Sequence, residues 1–311
     1  MKTKKINTQR RFKEGHWELT AMLLPASILL LIFAYIPMFG IVVAFKNLKF
    51  SLGIWGSEWN GLDNFVFLFK SNSMAILLRN TIAYNLIGLV LGNYVPIILA
   101  LALERIKKKV VIKTYQSGMF LPYFLSWIVV SYFTLSLFEY DTGILNNIIE
   151  FLGGNRIDFY AKSSAKYWPF ILIFFQLWKG IGYNTLIYYG TLLSIDPSLY
   201  EAAVIDGCGY FKRVWHISIP HLTPSIIILI LLSLGGMFRS DYGLFYFIPR
   251  DTGALLKVTD VLDTYIFRTL RNATNVGLSS AISFIQSVVG LILVVVGNTI
   301  ARRIDKDVAL F

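Results

Sequence analysis

The sequence predicts an all-α polytopic membrane protein with six transmembrane helices and a polar helical loop on the cytoplasmic side between the fourth and fifth. Three observations carry this. Of 311 residues, 56% are hydrophobic and only 15% charged, whereas soluble globular domains carry roughly 25% charge. Six apolar runs fall at about 19–45, 78–103, 115–138, 168–193, 222–240 and 277–300, and roughly 20 helical residues cross about 30 Å of hydrocarbon. Lys and Arg concentrate in alternate connecting segments. With no water in the bilayer core, each run must satisfy its own backbone, so each is expected to be helical.

The elements follow in order. Residues 1–18 are basic. The apolar run behind them is about 27 residues long and lacks a small-residue cleavage site, so it reads as a retained first span and not as a secretory signal. With a cytoplasmic N-terminus, the inner segments 1–18, 104–114, 194–221 and 301–311 hold 16 Lys and Arg in 68 residues. The outer segments 46–76, 139–167 and 239–276 hold 11 in 98. Basic residues favour the cytoplasmic side, so both termini are expected there. The run Arg105, Lys107, Lys108, Lys109 and Lys113 decides it most firmly.

The domain organisation is thus a cytoplasmic N-terminus (1–18), one membrane domain (19–300) containing the loop 194–221, and a cytoplasmic tail (301–311). The net charge of +11 is mainly a topology signal. The aromatic–basic interleaving of a strand-binding groove is missing, and nucleic acid is not an expected partner. Tyr35, Trp55, Trp59, Tyr167 and Trp168 fall near outer span ends, where interfacial aromatics and membrane lipid meet. In the outer loop 139–167, Ile144 to Leu152 is apolar at helical spacing and ends at Gly153-Gly154. It reads as an amphipathic surface helix, either interfacial or part of a docking rim for an external protein.

The insert 194–221 has its own logic. Asp196-Pro197 starts a helix well, since Asp can cap and Pro tolerates the first turn. Ser198 with Glu201 three residues later fits a capping box. Gly207 and Gly209 stop the helix and permit a left-handed turn. A second short helix is expected to carry Phe211, Val214, Trp215 and Ser218, giving a rigid two-helix knob at the membrane surface. The spans on both sides exclude a DNA-binding helix-turn-helix reading.

Glu201-Ala202-Ala203 is followed by Asp206-Gly207, by Ile217 sixteen residues after the Glu and by Pro220 nineteen after. This resembles the EAA signature of permease subunits in binding-protein-dependent ABC importers, with Ile219 where the family usually has Leu. Further strings resemble the sugar permeases of the maltose and multiple-sugar type, in the branch associated with complex oligosaccharides and polysaccharides. They are Tyr35 to Lys46, Gly61 to Phe65, Leu78 to Thr81, Leu121 to Trp127 and Val261 to Tyr265. The resemblance implies that Glu201, Ala202, Ala203, Asp206, Gly207, Ile217 and Pro220 couple to an ATPase. It implies a second homologous permease, an ABC ATPase dimer, an extracellular or periplasmic solute-binding protein and an oligosaccharide as partners, in a bacterial plasma membrane.

Within the fourth span, Gln176, Lys179, Gly180 and Tyr183 share one helical face by spacing. A central Lys costs about 2.5–3.5 kcal/mol on insertion scales, so it should face protein or a water-filled cavity. Two readings compete: hydrogen bonding and close packing against neighbouring helices, or the lining of a sugar path. The resemblance implies the second for Gln176, Gly180 and Tyr183, while Lys179 replaces an apolar residue of the maltose-type relative. It also implies path contacts near Phe238, Arg239 and Asp241 at the end of the fifth span. An Arg239–Asp241 or Lys179–Asp241 ion pair is the structural rival.

What the chain lacks fits the same division of labour. No Gly-x-x-x-x-Gly-Lys phosphate loop occurs, so ATP and Mg are expected on a partner ATPase and no cofactor on this chain. No metal site is expected, His216 and His221 being ordinary beside a helix turn. The single Cys208 excludes an internal disulfide framework. A self-contained secondary transporter would show an internal inverted repeat, and a glycan enzyme a carboxylate pair, for which Glu139, Asp141, Glu150 and Asp158 are the outer candidates.

Overall fold

A computed structural model of the chain describes residues 8–70, 72–272, 275–304 and 309–310. Residues 1–7 of the basic N-terminal segment, and 305–308 and 311 of the tail, lie outside the described residues. Backbone proximity divides the chain into two units, Met1–Phe67 with Asn275–Phe284, and Leu68–Thr274 with Ile285–Phe311. Among the described residues five helices are long and apolar enough to cross a membrane, and a bent helix pair makes a sixth span.

In the first unit the leading span covers Leu19–Phe45. It carries a π-helical turn at Leu31–Tyr35, two residues before Pro37. Proline lacks an N–H and crowds the preceding turn, and a widened turn accommodates it. Two short strands, Lys46–Asn47 and Glu58–Trp59, then pair antiparallel, a hairpin that the all-helical reading did not include. Lys46 is buried, with Nζ donating to Ile54 O at 2.9 Å and lying 5.0 Å from the Trp59 ring centroid. Asn64 ties the hairpin to the span by donating to Ala44 O and Lys46 O at 2.9 and 3.1 Å. A Cβ at Gly277 would come within 2.7 Å of Asn64 Nδ2, so this crossing needs the bare backbone.

In the second unit the second span, Ser73–Glu104, packs along the fourth, Lys162–Leu193. The third span is not the single helix expected over 115–138. Lys109–Phe124 and Trp127–Phe138 meet at 99°. Pro122 disrupts the ladder, and Ser126 starts a new helix by accepting from Val129 N at 3.3 Å. Gly182 seats this break: a Cβ there would fall 2.0 Å from Met119 O and 2.9 Å from Phe120 Cα.

The fifth span runs Tyr210–Gly235 as one helix. The expected separate second helix of the loop is therefore its first turns. A π-helical turn at Val214–Ser218 precedes Pro220, repeating the device before Pro37, so the proline does not break the helix. The span also ends earlier than 240, at Gly235-Gly236. The sixth span covers Val276–Arg303.

Trp168 is fully buried and donates from Nε1 to Phe159 O at 2.7 Å. This corrects its reading as an interfacial aromatic: the outer loop folds back and satisfies the indole N–H, Tyr160 and Phe138 lie against the ring, and Leu172, Phe175, Leu244 and Ile248 belong to the same core cluster. The loop helix forms at Ile144–Phe151. Its fully buried Asn146 bonds to the Glu139, Tyr140 and Ile157 backbones, and Ile144, Ile148 and Phe151 stay exposed. Leu78–Thr81 and Val261–Tyr265 meet: Asn80 Nδ2 donates to Asp260 O at 2.8 Å and Leu262 N to Thr81 Oγ1 at 3.0 Å. Arg268 pairs with Asp251 at 2.7 Å and with Asp260.

Candidate functional site: the helical loop and the polar interior

The loop begins with helix Pro197–Ile205. Asp196 caps it, its carboxylate accepting from Ser198 N at 2.9 Å, and that N–H holds the Asp196 carboxyl below the usual carboxylate range. The expected Ser198–Glu201 capping box does not form, because Ser198 lies inside the helix and its N–H goes to Asp196. The helix closes as a Schellman motif: Cys208 N donates to Ala203 O at 2.8 Å and Gly207 N to Val204 O at 3.0 Å. Gly207 has φ +74°, the left-handed conformation that the Asp206-Gly207 turn called for.

Two side chains root the loop. Tyr200 Oη lies 2.9 Å from Ser218 Oγ, and burial pushes the Tyr200 hydroxyl above its ordinary range. The Arg105 guanidinium sits 4.4 Å from the Tyr210 ring centroid. Ile217 packs into a core cluster around Tyr188 and Leu222. Glu201, Ala202, Asp206, Gly207 and Pro220 are exposed, and Ala203 is half-buried. Beside them Val204, Ile205, Phe211 and Trp215 present apolar surface. His216 and His221 each bond back to their own helix, at Lys212 O and Ile217 O.

Inside the span bundle the structure splits the face read from the fourth span. Gln176 belongs with Asn184. Both turn to the second span, where a Cβ at Gly88 would come 2.5 Å from Gln176 Nε2 and where Asn184 Nδ2 donates to Gly92 O at 2.8 Å. They line a polar cavity of about 200 Å³ with Asn85, Gly88, Gly92, Asn93, Ser233 and Gly236. Gln176 Oε1 has no hydrogen-bond partner there. The sequence reading missed the second-span members, although Asn85, Gly88, Leu89, Gly92 and Asn93 recur at i, i+3, i+4, i+7 and i+8, the period of one helix face.

Lys179 and Tyr183 turn instead to the broken third span. Lys179 Nζ lies 4.2 Å from the Trp127 ring centroid. Tyr183 stacks on Tyr123, with centroids 5.2 Å apart and planes at 14°, and Tyr123 stacks on Phe120 at 5.4 Å and 11°. Tyr183 is 44% exposed. Gly180 has no heavy atom within 4 Å of its would-be Cβ outside its own helix and faces open space.

Phe238, Arg239 and Asp241 lie beyond the fifth helix, in the turn that follows Gly236, and Asp241 caps helix Tyr242–Phe247 through Gly243 N at 2.9 Å. Gln286 Nε2 donates to Phe238 O at 2.6 Å, and Ser240 N to Asp263 Oδ2 at 2.7 Å. Burial raises the Asp263 carboxyl above its ordinary range. Among the described residues neither expected ion pair forms. Salt bridges there join Lys49–Glu58, Arg156–Glu150 and Arg268 with Asp251 and Asp260. Arg239 Nη2 bonds to Ser287 Oγ at 2.9 Å, and Asp241 Oδ2 accepts from Trp127 Nε1 at 2.5 Å.

Candidate membrane spans that enclose a polar cavity, with an exposed apolar-tipped loop between two of them, describe a membrane protein, and its relatives make it an inner-membrane transport subunit. It belongs to the family of binding-protein-dependent transport system inner membrane components, whose model matches residues 92–309. It is 34% identical over 304 residues to protein LplB of Bacillus subtilis (strain 168), covering 98% of this chain and 94% of that one. It is 33% identical to the polygalacturonan/rhamnogalacturonan transport system permease protein YteP of the same strain, over 92% of this chain and 88% of that one. A crystal structure of a bacterial ABC transporter involved in the import of the acidic polysaccharide alginate contains a chain that superposes with TM-score 0.84 at 30% identity. The match covers 95% of this chain and 99% of that one. A second structure, of a bacterial alginate ABC transporter with an alginate pentasaccharide-bound periplasmic protein, matches with TM-score 0.84 at 29% identity, over 97% and 99%.

Proposed function

We propose that this chain forms half of the translocation pathway of an ATP-driven oligosaccharide importer, alongside a second homologous permease. An external solute-binding protein delivers the sugar. A separate ABC ATPase dimer holds ATP and Mg, and this chain binds no cofactor. Both termini face the cytoplasm. The loop 194–221 docks on the ATPase, with Glu201, Ala202, Ala203, Asp206 and Gly207 shaping the contact and Ile217 and Pro220 joining it to the fifth span. Sugar passes over Gln176, Gly180, Tyr183 and the Phe238–Asp241 turn, including Arg239.

The observation that supports this most is the unbroken helix Tyr210–Gly235. Its 26 residues run roughly 39 Å at about 1.5 Å per residue. It joins the exposed Phe211 and Trp215 at the loop to Ser233 and Gly236 at the polar cavity. A push on the loop therefore moves the cavity wall as one lever, which is the coupling that alternating access requires. Polyols are held by amides and by flat rings on which C–H surfaces rest, and Gln176, Asn184 and the Tyr183 stack supply both. The test is co-purification followed by sugar-stimulated ATPase activity in proteoliposomes with the cognate binding protein. A tagged chain that brings down no ATPase and no second permease sinks the proposal.

A further inference from the structure

Lys179 lies in the fourth span and enters no salt bridge among the described residues. Among the described residues no carboxylate lies within 4.0 Å of its ammonium, and no hydrogen bond is made by it. It rests on the face of Trp127, 4.2 Å from the ring centroid. The other resources of that indole are committed: its N–H donates to Asp241 Oδ2 at 2.5 Å, and Asp241 Oδ1 accepts from Gly243 N at 2.9 Å. A Cβ at Gly243 would stand 2.3 Å from Trp127 Cδ1, so the ring is wedged in place. The cation thus rests on a π-face, with its three N–H donors unspent.

An ammonium within a membrane span is costly unless it is matched, and a residue serving only to pack there would carry no charge. One helical turn away, Tyr183, Tyr123 and Phe120 form a near-parallel stack, with Tyr183 and Tyr123 half exposed. Residues at i and i+4 stand roughly 5–6 Å apart on a helix surface. That is close to the reach from the centre of a pyranose ring to its ring-borne carboxylate plus one hydrogen bond.

We propose that Lys179 reads a carboxylate on the transported sugar, and that the cargo is an acidic, uronate-bearing oligosaccharide. This rests on the reading of the fourth-span face as part of the sugar path. The stack takes the C–H face of one ring, and Lys179 moves from the indole to the ring's carboxylate with a charge-assisted hydrogen bond. Neutral sugars would need only the amides and rings already present.

The test uses the complete importer, with its partner permease, ATPase and cognate binding protein, in proteoliposomes. Uptake is measured for galacturonate and mannuronate trisaccharides and for their carboxyl-reduced neutral counterparts. Lys179→Met should lower uptake of at least one acidic trisaccharide tenfold or more and change its neutral counterpart less than threefold, while Lys179→Arg retains most acid uptake. Equal loss for acid and neutral forms overturns the charge reading, as does transport confined to neutral sugars. Tyr183→Ala separates the two levels. If it slows both forms while Lys179→Met spares both, the path stands and the charge inference falls. If neither variant alters uptake, the path reading fails as well. Melting of the detergent-solubilised complex identifies a misfolded variant, and the neutral Lys179→Gln then carries the comparison under the same limits.

Discussion

Trp127 Nε1 donates to Asp241 Oδ2 at 2.5 Å, joining the start of the second half of the third span to the turn after the fifth. The indole thereby takes Asp241 at its N–H and Lys179 on its face, where the sequence pattern invited an ion pair between the two. It also holds Asp241 in place as the cap of helix Tyr242–Phe247.

Trp127→Phe keeps a ring face for Lys179 and removes the N–H. Hydrogen bonds to charged groups contribute about 1.5–3 kcal/mol, so the purified chain complex should melt at a lower temperature. Asp241→Asn, which keeps an acceptor, should cost less. An unchanged melting temperature for Trp127→Phe would remove this link from the account of the fold.

Gly182 and Gly180 are two residues apart and should behave oppositely. A side chain at 182 meets the Met119 backbone, while Gly180 faces open space. Gly182→Leu should cost at least about 1–3 kcal/mol through overpacking and lower the yield of assembled complex. Gly180→Ala should leave yield and melting unchanged. Comparable yields for both variants would mean that the break in the third span is not seated on Gly182.

Gly207→Val places a β-branched residue at φ +74°, a conformation that costs roughly 1–2 kcal/mol for L-residues. Sugar-stimulated ATPase activity should fall, or the ATPase should dissociate, while Gly207→Asn, which tolerates the left-handed region, should retain coupling. Normal coupled transport by a well-expressed Gly207→Val protein counts against the loop as the ATPase contact.

Tyr183→Ala should slow uptake about 2- to 12-fold, the equivalent of roughly 0.5–1.5 kcal/mol of lost stacking. Because the ring is 44% exposed, little core is lost and the melting temperature should hold. A lowered melting temperature with unchanged uptake would assign the ring to packing alone.

Topology has its own assay. Ser163 is exposed in the loop between the third and fourth spans. A cysteine at Ser163 should react with an impermeant thiol reagent added outside intact cells, whereas Cys208 should react only after permeabilisation. The reverse pattern would invert the orientation and place the loop 194–221 outside.

By itself the sequence determined what is local and periodic. Composition and run length marked the six spans, although the fifth starts at Tyr210 and not at 222, Gly207 announced its left-handed turn, and the EAA spacing pointed to the family. The short-range chemistry of caps and glycines was legible because it acts within one helical turn. What only the tertiary structure decided lies where distant segments meet. Pro122 lies inside an apolar run with no visible end, so the 99° bend depends on Gly182 offering a bare backbone sixty residues on. Trp168 looks interfacial until the loop 139–167 folds over it. The single polar face of Gln176, Lys179 and Tyr183 divides because Gly88 and Gly92 make room for amides on one side and the broken span presents Trp127 and Tyr123 on the other. The physical reason is common to all three. Side-chain periodicity fixes which residues share a face, but the partner that covers the face is set by packing between segments far apart in the chain.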